Sequence, residues 1–82
     1  MQGGYRLVRA GLHTKAKENA EVCRAAISTS RDLRERAALC MVVAMWDELA
    51  TNNSMRTPEL AEQVELVAGV QARILGPAAA PG

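Results

Sequence analysis

The chain has 82 residues, ten Lys/Arg against nine Asp/Glu, and is 49% hydrophobic, yet Trp46 and Tyr5 are its only aromatic side chains. So many apolar residues at a net charge of +1 exclude a disordered chain and a strongly cationic nucleic-acid binder, and the length allows a single domain. The longest apolar run, Ala37 to Trp46, is ten residues where a membrane span needs ~20, and Cys23 and Cys40 alone do not make a disulfide scaffold.

A first helix is expected from about Tyr5 to Ile27. Tyr5, Val8, Leu12, Ala16, Ala20, Cys23 and Ile27 step by three or four, which is one helical face. Gly11 is its weak point, and residues 1–4 are expected to be loose. Ser28-Thr29-Ser30 breaks the pattern. Ser30 is read as the N-cap of a second helix from about Arg31 to Ala50, with Asp32 in its positive first turn. Asn52-Asn53-Ser54 ends it with turn-forming residues. Thr57-Pro58-Glu59 then reads as cap, first helical position and dipole-favoured acid. The third helix runs from 58 to about 75, with Leu60, Val64, Val67, Gln71 and Ile74 on one face. Gly76-Pro77 stops it, Gly76 as a left-handed cap. The expected architecture is all-α: an antiparallel three-helix bundle, or a helical hairpin plus a third helix, over residues 1–76, with a disordered tail at 77–82.

The second helix is the unusual one. Leu39, Val42, Val43, Trp46, Leu49 and Ala50 make a bulky face. Leu33, Ala37, Cys40 and Ala44 make a smaller apolar face nearly opposite, and Met41 and Met45 form a ridge between them. A helix apolar nearly all round must be covered nearly all round. Two neighbours rich in alanine, which adds little buried area per residue, leave a third side open. Antiparallel pairing about Ser30 sets Ala20 beside Leu39, Ala16 beside Val43 and Leu12 beside Trp46. Trp46 then stands where the three helices meet, its indole N–H in need of an acceptor.

Charge is divided unevenly. Residues 1–36 hold eight Lys/Arg and four Asp/Glu, net +4; residues 37–82 hold two and five, net −3. The same pairing gathers Arg24, Arg31, Arg34 and Arg73 at one end and Asp47, Glu48, Glu59 and Glu62 at the other. Such a two-ended molecule can be oriented on approach to a charged partner.

Catalytic chemistry has little support. His13 is the only histidine, no Ser or Cys has a base at a recognisable spacing, and His13, Cys23 and Cys40 fall short of a structural zinc set. Glu59, Glu62 and Glu65 share a stripe that reads as a solvated face. No enzyme activity, cofactor or metal is therefore expected. Leu60-Ala61-Glu62-Gln63-Val64 with Ala72-Arg73-Ile74-Leu75 resembles the outer parts of a bacterial helix-turn-helix, which implies DNA binding through residues 58–75. Glu65 stands at that motif's turn glycine, and Val67-Ala68 where its polar cap belongs, so a continuous helix is the alternative.

The expected function is a small protein–protein interaction module — a regulator, inhibitor or chaperone-like accessory subunit. Met41, Met45, Trp46 and Leu49 are expected as apolar contacts and Arg24, Arg31 and Arg34 as steering charges. A homodimer is expected, since an uncovered face can satisfy itself by two-fold symmetry. The DNA-binding regulator is the alternative. With no apolar leader after Met1 and two unpaired thiols, the expected setting is cytoplasmic.

Overall fold

A computed structural model describes residues 2–76, with side chains from Arg6 onward. Three helices account for nearly all of it: α1 (Gln2–Thr29), α2 (Leu33–Thr51) and α3 (Thr57–Leu75). The described residues include no strand. The expected tail, 77–82, lies outside them.

α1 is continuous through Gly11 and starts at Gln2, so residues 2–4 belong to the helix rather than to a loose end. At ~1.5 Å per residue its 28 residues outrun the 19 of α2 by roughly 13 Å. Val8, expected on the core face, is exposed, and Leu7 beside it more so.

The α1–α2 connection corrects the cap assignment. The Ser30 amide closes the last turn of α1 on the Ala26 carbonyl at 2.9 Å, so Ser30 ends α1 rather than opening α2. Asp32 is the N-cap. Its extended backbone (φ −87°, ψ 117°) turns the carboxylate onto the amides of Arg34 (2.9 Å) and Glu35 (3.3 Å), two donors the helix itself cannot satisfy. α2 thus starts at Leu33, two residues later than expected.

The α2–α3 connection is built around Asn52. Its side-chain oxygen accepts from the amides of Met55 (2.7 Å) and Ser54 (3.1 Å) and holds the turn. Its carbonyl accepts from Arg9 Nη2 (3.1 Å) and His13 Nε2 (2.8 Å) on α1. His13 is thereby occupied in covering the end of α2. Arg56, not Thr57, is the N-cap of α3, with no side-chain hydrogen bond; Thr57 is already helical and its hydroxyl accepts from Arg9 instead. Pro58 sits in the first turn, where its missing N–H costs nothing. α3 runs unbroken through Glu65, Val67 and Ala68, so the helix-turn-helix resemblance lacks its turn. Gly76 ends it at φ 82°, which favours glycine, but with ψ 161° rather than left-handed helical geometry.

One core joins the helices: Ala16, Ala20 and Cys23 from α1, Leu39, Val42, Trp46 and Leu49 from α2, and Leu60, Val64 and Val67 from α3. Small residues on α1 meet large ones on α2, which lets the two approach closely. Trp46 has no exposed surface. Its Nε1–H donates to Gln71 Oε1 on α3 at 2.7 Å. Gln71 Nε2 donates in turn to Asn19 Oδ1 on α1 at 3.2 Å, and Asn19 Nδ2 to the Lys15 carbonyl at 2.8 Å. One short polar relay thus ties all three helices, and no buried side-chain polar atom among the described residues is left without a partner.

Two substitutions separate the packing and polar parts of this junction. Trp46→Ala is expected to cost about 3–5 kcal/mol in denaturant unfolding, the range for emptying a large aromatic site. Gln71→Leu keeps most of the volume but strands the indole N–H, and is expected to cost about 1–3 kcal/mol.

Candidate docking face

The side of α2 turned away from the core is the most unusual surface of the molecule. At 100° per residue, Leu33, Ala37, Cys40 and Ala44 line up along it with Met41 at the margin, opposite Leu39, Val42, Trp46 and Leu49. All five of these outer residues are exposed, Leu33 at 77% and Met41 at 69%. No charged residue occurs on α2 between Arg36 and Asp47, so for roughly 15 Å of helix the outer surface is uncharged. The exposed side of α1 carries Lys15, Lys17, Glu18, Glu21 and Arg24, which is how a solvated helix ordinarily looks. On α3, Leu66 and Val70 are exposed but alternate with Glu62, Glu65 and Arg73.

The four expected apolar contacts divide among three environments. Met41 stands on the outer face. Met45 is half-buried and lines a shallow cleft of about 260 Å³ with Glu48, Leu49, Asn52, Met55, Gln63 and Val67. Trp46 and Leu49 are corrected to core residues: their own chain covers them, leaving 0% and 6% exposed. The sequence pattern had placed Trp46 at the helix junction, and a junction residue has no free surface to offer. The small apolar face read from Leu33, Ala37, Cys40 and Ala44 is the one left open.

The steering charges divide in the same way. Arg31 and Arg34 are exposed and form no ion pair among the described residues. Arg24 is corrected. Its guanidinium donates to Asp47 Oδ2 at 2.6 Å and Glu21 Oε1 at 2.8 Å, so an arginine assigned to the basic end holds a carboxylate assigned to the acidic end. Residue-by-residue pairing assumes side chains perpendicular to their helix, whereas helical side chains lean toward the start of their own helix, and a long one spans the offset. The hydrogen bond from Arg24 to Asp47, with the nearby carboxylate charges, raises the guanidinium pKa further and keeps it charged.

The thiols are equally distinct. Cys23 is wholly enclosed, and burial raises its pKa above the usual thiol range by disfavouring the thiolate. Cys40 is exposed in the middle of the outer face. The two are not bonded to each other. Among the described residues no group of three His, Cys, Asp or Glu is placed to hold a metal, and no helix is long and apolar enough to cross a membrane.

In the dilute chain, alkylation with a maleimide at pH 7–8 is expected to label Cys40 rapidly and Cys23 only after unfolding in guanidinium. Equal labelling of both in the folded chain would contradict the burial of Cys23. Comparison with protein-family models, with curated proteins and with solved structures finds no match, so the functional reading rests on this face and its surroundings.

Proposed function

We propose that the chain is a small protein–protein interaction module that docks the outer face of α2 onto a partner, acting as a regulator, inhibitor or accessory subunit. The observation that carries this reading is the contrast between the two sides of α2. One side is filled by α1 and α3 to the point that Trp46 and Leu39 are fully enclosed. The other shows Leu33, Ala37, Cys40, Met41 and Ala44 to solvent. Burying apolar area drives association at roughly 25 cal/mol per Å², and a surface helix does not otherwise keep such a stripe free of charge.

The helices are read as an antiparallel bundle. Support comes from the three-residue connection Ser30–Asp32 and from Arg9 and His13, early in α1, bonding Asn52 at the far end of α2. Arg31, just before α2, and Arg34, in its first turn, form no ion pair among the described residues and flank the docking stripe, where they bias the approach of an acidic surface. A reducing, cytoplasmic setting fits the two free thiols. The reading assigns no catalysis.

Met41→Glu tests the proposal. Met41 is bare, so the fold and melting temperature are expected to change little. A partner that co-purifies with the chain from the cells that make it is expected to be lost. Association left unchanged both with co-purifying proteins and between copies of the chain, matching a control substitution on α1 such as Lys17→Glu, would contradict it.

A further inference from the structure

We infer that the outer face of α2 is built to receive a second copy of itself, antiparallel, about a two-fold axis at Met41. This rests on the docking reading and names its occupant. Charge is placed in mirror order around the stripe. Taken at 100° per residue, Arg36 and Asp47 fall on one margin of the stripe, and Arg34 and Glu48 fall with Met41 on the other. In an antiparallel helix pair each margin meets its own counterpart. Arg34 then faces Glu48 of the second copy, and Arg36 faces Asp47 of the second copy, each twice by symmetry.

The two sets of pairs demand nearly the same register. The midpoint of 34 and 48 is residue 41, and that of 36 and 47 lies half a residue further, so with the axis at Met41 the second pair is offset by one residue, about 1.5 Å along the helix. The uncharged residues fit it too. With the axis at Met41, Ala37 comes within one residue of Ala44 and Cys40 within two of its own counterpart, so small side chains near the centre permit a close helix approach of about 8 Å. A parallel pairing in register would instead set Arg34 near Arg36 and Asp47 near Glu48, like against like. Arg34 and Glu48 are exposed and make no ion pair among the described residues, so both are available. Asp47 gives one oxygen to Arg24 and remains half-exposed. α1 and α3 cover the opposite side of α2 and leave the second copy room.

A stretch that must meet itself needs both signs of charge in mirror order along one helix. α2 has them: basic at 34 and 36, nothing between, acidic at 47 and 48. A partner of different sequence would not require that order.

The test is sedimentation of the full chain and of two charge reversals, Arg34→Glu and Glu48→Arg, with helix content and melting checked by circular dichroism. The unaltered chain is expected to be dimeric at about 100 μM, where even a micromolar interface is saturated. Each reversal places like charges in contact twice per dimer and is expected to weaken association by about tenfold or more. An equimolar mixture of the two reversals restores both contacts and is expected to dimerise again. Independently of those variants, a short bis-maleimide is expected to join two unaltered chains through Cys40, and not to join Cys40→Ser chains. A monomer at that concentration, or folded reversals that associate like the unaltered chain or fail to associate when mixed, would overturn the self-pairing. If the chain is monomeric while Met41→Glu still removes a co-purifying partner, self-pairing falls and the docking reading stands. If Met41→Glu also changes nothing, both fall.

Discussion

The hydrogen bond from the Trp46 indole to Gln71 is the interaction on which the arrangement of this chain depends. A domain this small, with alanine as its commonest residue, has few large side chains to bury, and Trp46 is the largest of them. Burying it requires an acceptor for its N–H, since an unpaired buried donor costs about 1–3 kcal/mol. Gln71 supplies the oxygen from α3, and its own amide needs a partner, which Asn19 supplies from α1. Apolar contacts tolerate sliding by a fraction of a turn, whereas this relay does not. It therefore specifies how the three helices sit together, with a directional requirement that alanine and valine packing cannot impose.

The same arrangement leaves one side of α2 bare. Two neighbours can surround only part of a helix, and α1 and α3 are both drawn to the side that carries Trp46. What remains outside is a stripe in which Ala37, Cys40 and Ala44 keep the surface low and Leu33 and Met41 rise above it. Between Lys15 and Arg24 on α1, and along α3, the exposed surfaces carry charges at helical spacing, whereas the outer side of α2 carries none between Arg36 and Asp47. Core, open stripe and mirrored charges are three faces of one 19-residue segment. The fold is the device that buries the first and presents the others.

Much of this could be read from the order of residues. Three helices follow from the three-four spacing of Leu12, Ala16, Ala20 and Cys23, from Leu39, Val42, Trp46 and Leu49, and from Leu60, Val64, Val67 and Gln71. Both faces of α2 followed from the same periodicity. Gln71 stood in an otherwise apolar series on α3 while Trp46 lacked an acceptor, and putting those two facts together would have found the relay. The caps were misplaced because Ser30 and Asp32 are both good caps two residues apart, and which one acts depends on where α1 stops. The bond from Arg24 to Asp47 was out of reach for a different reason. It depends on side-chain lean and on helix offset, neither of which is written in spacing. Trp46 is expected both to fill the junction and to meet a partner, and Leu49 to meet a partner; burial leaves both to the core.

The central claim is that α2 has one side closed by its own chain and another that closes only on association. Oxidative footprinting of the purified chain across a dilution series measures both sides in one sample. The account predicts that Trp46 stays protected at every concentration, while Met41 is readily oxidised in the dilute chain and becomes protected as concentration rises. Equal oxidation of Met41 and Trp46 throughout, or protection of Met41 in the most dilute sample, would contradict it.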